Sequence, residues 1–315
     1  MAVKFGVQIW QEDFDLNGIK GAFIEAEKMG FESAWIYDHF YPMSKITSDY
    51  MLEAWTLLPQ LALVTNNLRL GILVTCNSYR HPSILAKIAT TVDIISNGRL
   101  EFGIGAGWFE EEYDAYGIPF PSPRIRLEQM EEGIELMKRI WTRDKAKFKG
   151  KHYTIEDLIA NPKPIQKPYP PIMIGGKGDL LLKIAAKYAD NINLVNCTPE
   201  EYSQRLSVLK DHCLKIGRDY DEITKSWHGQ IIIEEKEKAK ELAHRFKQES
   251  SIKSVQETDF EDFLGKMILG TPKDCIERIQ SYIDAGVEYI IPHFPFSDGL
   301  KAHRIFIDEI TSAFQ

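Results

Sequence analysis

The chain has 315 residues, 44% of them hydrophobic, and a formal charge of −8. That length suits a large core, and the acidic balance with no basic block excludes a nucleic-acid backbone as partner. No apolar run approaches the ~20 residues of a membrane span, so no membrane partner is expected.

Strand and helix patterns alternate along the chain. Residues 3–9 read as a strand. Residues 17–29 have helical spacing (Ile19, Phe23, Ala26, Met29), with Gly30 as the stop. Residues 34–37 form a second strand, 53–64 a helix and 68–75 a third strand. Residues 83–95 are a helix ended by Asn97-Gly98, and 100–105 a fourth strand. A long amphipathic helix spans 126–141, and a charged excursion at 145–153 has the shape of a small hairpin. A proline-rich stretch at 161–171 leads into a strand at 172–174. A helix at 180–188, a strand at 192–195, a helix at 200–216 and a strand at 225–233 follow. Residues 234–266 are highly charged and less regular. The chain closes with a helix at 272–285, a strand at 289–291 and a helix at 300–314.

Eight strand–helix units imply parallel pairing through right-handed crossovers and point to a closed (β/α)8 TIM barrel. A doubly wound open sheet is the alternative, but it has about six strands and often a domain break. No Gly/Ser linker divides the chain. Residues 1–315 therefore read as a single domain, with an insertion near 234–266.

The first chemical signal is at the end of the second strand. Trp35-Ile36-Tyr37 runs into Asp38 and His39 where the chain leaves the sheet. In parallel α/β proteins that edge carries the chemistry, and a histidine there exchanges protons near neutral pH. The competing reading is a helix-capping aspartate beside a solvated histidine.

The run Gly98-Arg99-Leu100-Glu101-Phe102-Gly103-Ile104-Gly105-Ala106-Gly107-Trp108-Phe109 is the second signal. A dinucleotide fingerprint places its glycines after the strand, whereas Gly103 and Gly105 fall inside it. Such glycines admit a close backbone or a flat ligand, with tight barrel packing as the alternative. Ala106-Gly107 at the strand end is assigned to a ligand. Gly175-Gly176-Lys177-Gly178 joins a strand to a helix and offers a phosphate cradle, or a simple turn. Arg80 and His81 follow the third strand, as anion ligands or as helix-entry residues.

No His-x-x-x-His spacing marks a metal site, and no Gly-x-Ser-x-Gly elbow is present. Cys76, Cys197, Cys213 and Cys275 include no Cys-x-x-Cys pair, which points to a reducing, cytoplasmic compartment. Cys76 reads as a small buried residue near a strand end. The opening Met1-Ala2-Val3-Lys4-Phe5 lacks the pattern of a signal peptide.

Several segments together resemble the luciferase-like flavin and deazaflavin oxidoreductases. They are Phe5–Trp10, Trp35–Phe40, Leu70–Thr75, Tyr79–Pro82, Ser96–Phe109, Tyr116–Pro121 and Pro171–Gly176, in order over about residues 3–195. The Gly-Ala-Gly-Trp-Phe form is similar to the branch that uses coenzyme F420, an 8-hydroxy-5-deazaflavin. The resemblance implies a (β/α)8 barrel with a late insertion, often dimeric, that transfers a hydride between F420 and a small organic substrate. It implies that Asp38 and His39 lie near the ring, with His39 exchanging the proton and Asp38 holding the imidazole or the cofactor. Leu73 and Val74 match a bulge, often a cis peptide, that backs the ring. Ala106 and Gly107 match backbone contacts to the cofactor, and Gly175, Gly176 and Lys177 its phosphate end. Sugar-phosphate dehydrogenases of this type carry a carboxylate where Trp108 stands here. Trp108 therefore implies a more apolar substrate, with Glu12 as a replacement acid. The alternatives are an FMN-dependent monooxygenase served by a separate reductase, and a non-catalytic flavin-binding barrel.

Overall fold

The computed structural model describes residues 3–43, 50–296 and 298–314; Met1 and Ala2, read above for a leader, lie outside these. Eight parallel strands close into a barrel: β1 (Lys4–Gln8), β2 (Ser33–Ile36), β3 (Arg69–Ile72), β4 (Leu100–Gly105), β5 (Ile172–Gly175), β6 (Asn191–Val195), β7 (Thr224–Ile233) and β8 (Tyr289–His293). Each pairs with its neighbour, and β1 pairs with β8 to complete the ring. All eight strands expected from the sequence are present. Their closure leaves the ring of eight strands without a free sheet edge.

Alternation along each strand makes two apolar layers. Ala34, Ile36, Leu70, Ile72, Phe102 and Ile104 pack outward against the helices. Trp35, Met173, Tyr289 and Ile291 join Leu73 in a separate cluster inside the barrel. Gly71 accommodates that interior layer, because a Cβ there would stand 2.5 Å from the Trp35 ring.

The crossover helices begin and end on local signals. In α1 (Leu16–Met29), Asp15 accepts the Gly18 N–H at 2.7 Å and Gly30 closes the helix at φ 90°. Then come α2 (Ala54–Leu63), α3 (Pro82–Ile95), a short α4 (Glu110–Ala115) and α5 (Pro123–Thr142). The hairpin (Ala146–Lys149, Thr154–Leu158) follows α5, and α6 (Asp179–Tyr188) and α7 (Pro199–Ile216) complete the middle of the barrel.

Two regions differ from the sequence reading. The third strand is not continuous: β3 stops at Ile72, the Leu73–Val74 peptide is cis, and Thr75–Cys76 pairs again with β4 at Ile104 and Gly105. The charged insertion is more ordered than its composition suggests. It folds as α8 (Lys236–Glu249), α9 (Lys253–Glu257) and α10 (Phe260–Gly265), then adds Ile268–Gly270 alongside the end of β7. Its apolar stripe is narrow, with only Ala239, Ala243 and Phe263 buried on these helices, so surface charge dominates the sequence pattern.

The insertion also reaches back over the barrel. Ser251 donates its backbone N–H to Met43 O and its hydroxyl to Pro42 O, both at 2.9 Å. Ile252 packs against the Tyr37, Met43 and Phe109 cluster, next to the end of β2. The barrel then closes through α11 (Pro272–Asp284), β8 and α12 (Lys301–Ile305), the last continuing as one π turn and one 3-10 turn to Phe314.

Candidate active site

The carboxyl ends of the strands surround a cavity of about 300 Å³. Eight residues singled out from the sequence line it: Asp38, His39, Leu73, Val74, Ala106, Gly107, Gly175 and Gly176. They come from β2, β3, β4 and β5, more than 130 positions apart along the chain. Only barrel closure brings them together.

His39 is held on one side. Its Nδ1 lies 2.8 Å from Glu112 Oε2. Glu112 is fully buried on α4, and it also accepts the Phe40 N–H at 2.7 Å, the Tyr41 N–H at 2.9 Å and the Tyr79 hydroxyl. Burial alone would raise this carboxyl; the hydrogen bonds and charge of His39, with those from Tyr79 and Tyr41, outweigh it and hold the carboxyl below its usual value. The carboxylate fixes the Nδ1–H tautomer and leaves Nε2 for exchange. The Trp108 ring sits edge-on to His39, 5.4 Å between centroids.

Of the two roles expected of Asp38, holding the imidazole or the cofactor, the first falls to another residue. Its carboxylate is engaged by the Arg80 fork, at 2.7 and 2.9 Å, and by the Cys76 N–H at 3.0 Å. Burial raises the Asp38 carboxyl, and Arg80 opposes that rise. Asp38 thus lines the cavity but does not hold the imidazole; Glu112 does. Arg80, also paired with Glu53, is committed to carboxylates and not to an external anion. His81 is the N-cap of α3.

The glycines of β4 and β5 make room for protein. A Cβ on Gly103, Gly105 or Gly175 would collide with the Val74 side chain at 2.8–3.1 Å. At Gly107, where φ is +79°, it would collide with the Tyr113 hydroxyl and Cys76 Sγ. Gly103, Gly105 and Gly175 leave room for the Val74 side chain inside the barrel, where Leu73 and Val74 form an apolar seat. Burial pushes the Cys76 thiol up to about 12, so it is a neutral packing group.

Two expected residues lie off the cavity wall. Lys177 lines an adjoining hollow with Arg205, and its Nζ is 3.3 Å from Asn196 O. Glu12 accepts the Tyr37 hydroxyl and the Met43 N–H. It braces the loop after β2, which is a structural task and not that of an acid facing the cavity.

Four lining or supporting groups escaped the sequence reading. Glu112 is hidden in Glu110-Glu111-Glu112, a run that reads as solvated. Thr75, Asn193 and His228 line the cavity. A signal for the last two was available: Asn191 and Asn193 on β6, and Ser226, His228 and Gln230 on β7, are polar residues at alternate positions, with Ile192, Leu194, Trp227 and Ile231 among their neighbours. His228 Nδ1 lies 2.7 Å from the Ile291 carbonyl, an acceptor only, so Nδ1 carries the hydrogen. Burial lowers this imidazole to about 4. At neutral pH its Nε2 is therefore a bare acceptor.

Thr75 Oγ1 and Asn193 Oδ1 are buried with no hydrogen-bond partner among the described residues. Open polar groups beside an apolar seat fit a flat ligand with a hydrogen-bonding periphery. Among the described residues, no group of three or more His, Cys, Asp or Glu is placed to hold a metal ion, and no helix is long and apolar enough to cross a membrane.

The family model for luciferase-like monooxygenases matches residues 3–289. The chain belongs to this family. Among its relatives, an F420-dependent glucose-6-phosphate dehydrogenase of Microbacterium testaceum is 26% identical, over 98% of this chain and 96% of that one. An FMNH(2)-dependent dimethylsulfone monooxygenase of Pseudomonas putida is 27% identical, over 85% of this chain and 80% of that one. A solved F420-dependent secondary alcohol dehydrogenase, in complex with an F420-acetone adduct, superposes with a TM-score of 0.88 at 22% identity over the whole of both chains. That last likeness confirms the barrel.

Proposed function

We propose that this luciferase-like barrel is an F420-dependent oxidoreductase acting on a small, uncharged organic substrate. The observation that carries the reading is His39, held by buried Glu112 at Nδ1 and placed on the wall of the cavity with the apolar Leu73–Val74 seat. F420 supplies the carbon that accepts or gives the hydride. The protein supplies a seat, a proton and an oriented field.

Leu73 and Val74 support the ring, with Ala106 and Gly107 at its edge and Asp38 beside it. His39 gives or takes the accompanying proton through Nε2. Gly175 and Gly176 receive the phosphate, near the start of α6, whose N-cap Gly178 provides no side-chain cap. Free N–H groups there, and Lys177 alongside, favour an anion.

The substrate class follows from the lining. Among the described residues around the cavity none is Lys or Arg, and Trp108 faces it. A phosphorylated sugar would find no cation among those described residues, whereas an alcohol or a ketone needs only a proton partner and apolar contact. We place the enzyme in the cytoplasm as a homodimer, with residues 1–315 as one domain.

The dimethylsulfone monooxygenase relative supports a second reading, an FMN enzyme with a separate reductase. Fluorescence titration of the purified protein decides between them. Micromolar binding of F420 is expected, and binding of FMN alone overturns the proposal.

A further inference from the structure

The wall formed by β6 and β7 holds two hydrogen-bond acceptors, Asn193 and His228. Asn193 is fully buried, donates its amide N–H to Ser226 Oγ at 2.9 Å, and leaves Oδ1 without a partner. Ser226, which accepts that N–H, has Asn191 Oδ1 at 2.7 Å and the Ile192 carbonyl at 3.1 Å as acceptors for its own hydrogen. His228, whose Nδ1–H is spent on Ile291 O, offers Nε2 as an acceptor only. His228 stands in register with Val195, two residues beyond Asn193 on the neighbouring strand. Both residues line the cavity. A buried acceptor left without a donor costs about 1–3 kcal/mol, so this wall calls for a ligand that donates hydrogen bonds to it.

Its position selects which part of the ligand does so. Asn193 is in register with Gly175, and its carbonyl accepts the Gly176 N–H at 3.0 Å. It is therefore next to the proposed phosphate end, one strand beyond the Gly175 against which the Val74 seat packs, and across the barrel from His39. The stretch of cofactor that passes it joins ring to phosphate. In F420 and FMN alike that stretch is a ribityl chain, which carries hydroxyl donors. We infer that Asn193 and His228 form an acceptor wall that takes the ribityl hydroxyls of the cofactor. A phosphate, which at neutral pH mostly accepts, is a poor match for it.

This inference rests on the cofactor reading above, and its test separates the two. The probes are 8-hydroxy-5-deazaflavin carrying a ribityl chain at N10 and the same ring carrying a plain pentyl chain, each titrated by fluorescence. Wild-type protein should prefer the ribityl compound. His228→Phe and Asn193→Leu should each weaken the ribityl compound about tenfold, the loss of one hydrogen bond, and leave the pentyl compound within about twofold. His228→Gln, which restores an acceptor, should recover most of the difference. Equal weakening of both compounds, or of neither, overturns the inference; retained pentyl binding also shows that a variant is folded. Failure of the wild-type protein to bind either compound, or F420 or FMN, overturns the cofactor reading itself and this inference with it. Because both cofactors share the ribityl chain, the F420-versus-FMN outcome does not affect the result.

Discussion

The two sides of the cavity treat their titratable and amide side chains in opposite ways. On the β2–β4 side, the ionisable side chains are closed in two sets: Glu112 with His39 and Tyr79, and Arg80 with Asp38 and Glu53. On the β6–β7 side, Asn193 and His228 turn open acceptors inward. A closed network fixes positions before any ligand arrives, which suits a proton-transfer group. An open one is completed only by a ligand, which suits binding. The contrast separates the residues of the reaction from those of recognition.

The largest expected effect tests the closed side. His39→Asn should lower turnover by about 10²–10⁴-fold, the usual worth of a positioned general acid or base, while F420 affinity stays within a few-fold. Full turnover with normal affinity would remove His39 from the proton path.

Glu112→Gln comes next. The amide keeps the shape but loses the charge that orients the imidazole, so kcat should fall about 10–100-fold with little change in cofactor binding. The same substitution should alter acid stability. The Glu112 carboxyl is held below its ordinary value of 4.5, so its contribution is present above that pH and is lost as pH falls further. The variant should lack that component of the acid transition, read by circular dichroism.

The buried histidines test the open side. Burial lowers His228 and His303 to about 4, and it lowers His293 as well. Below the ordinary value near 6.5, the unfolded chain takes up protons that the native fold refuses. Stability is therefore full above that pH and falls between it and about 4, by about 1.4 kcal/mol per pH unit for each histidine. Urea midpoints from pH 7 to pH 4.5 should show this slope, and His228→Gln should make it shallower by one histidine's share. An unchanged slope would mean that His228 is already protonated in the fold.

The smallest effect lies at the cavity mouth. Trp108 is half exposed beside His39. Trp108→Ala should raise KM for apolar substrates about fivefold and leave F420 affinity unaltered, which steady-state kinetics would show. An equal rise in the cofactor's dissociation constant would move Trp108 from substrate contact to ring support.

Much of the site was legible because barrel chemistry collects at strand ends, and strand ends are marked by a change of pattern. Asp38-His39 after Trp35-Ile36-Tyr37, Ala106-Gly107 after an apolar run, and Gly175-Gly176 after Ile172-Met173-Ile174 each announce the same rim. Glu112 was not legible. Three glutamates in a row look alike, and only the phase of the short helix α4 turns one of them inward. The glycines were found, and the packing alternative is the one the fold uses: they admit the Val74 side chain. Asp38 was found with the wrong partner, since Arg80 lies 42 positions away and only the fold sets the two face to face.

The sequence by itself determined the barrel, because period-two and helical patterns are local and eight of them in alternation leave few ways to bury their apolar faces. It also determined which segments meet at the rim, because parallel crossovers put every strand's carboxyl end on one side. Only the tertiary structure decided who pairs with whom there. Hydrogen bonds and charge pairs depend on distance through space, and a buried carboxylate takes whichever donors the closed barrel brings within 3 Å. Those choices gave His39 to Glu112, gave Asp38 to Arg80, and left Asn193 and His228 open to a ligand.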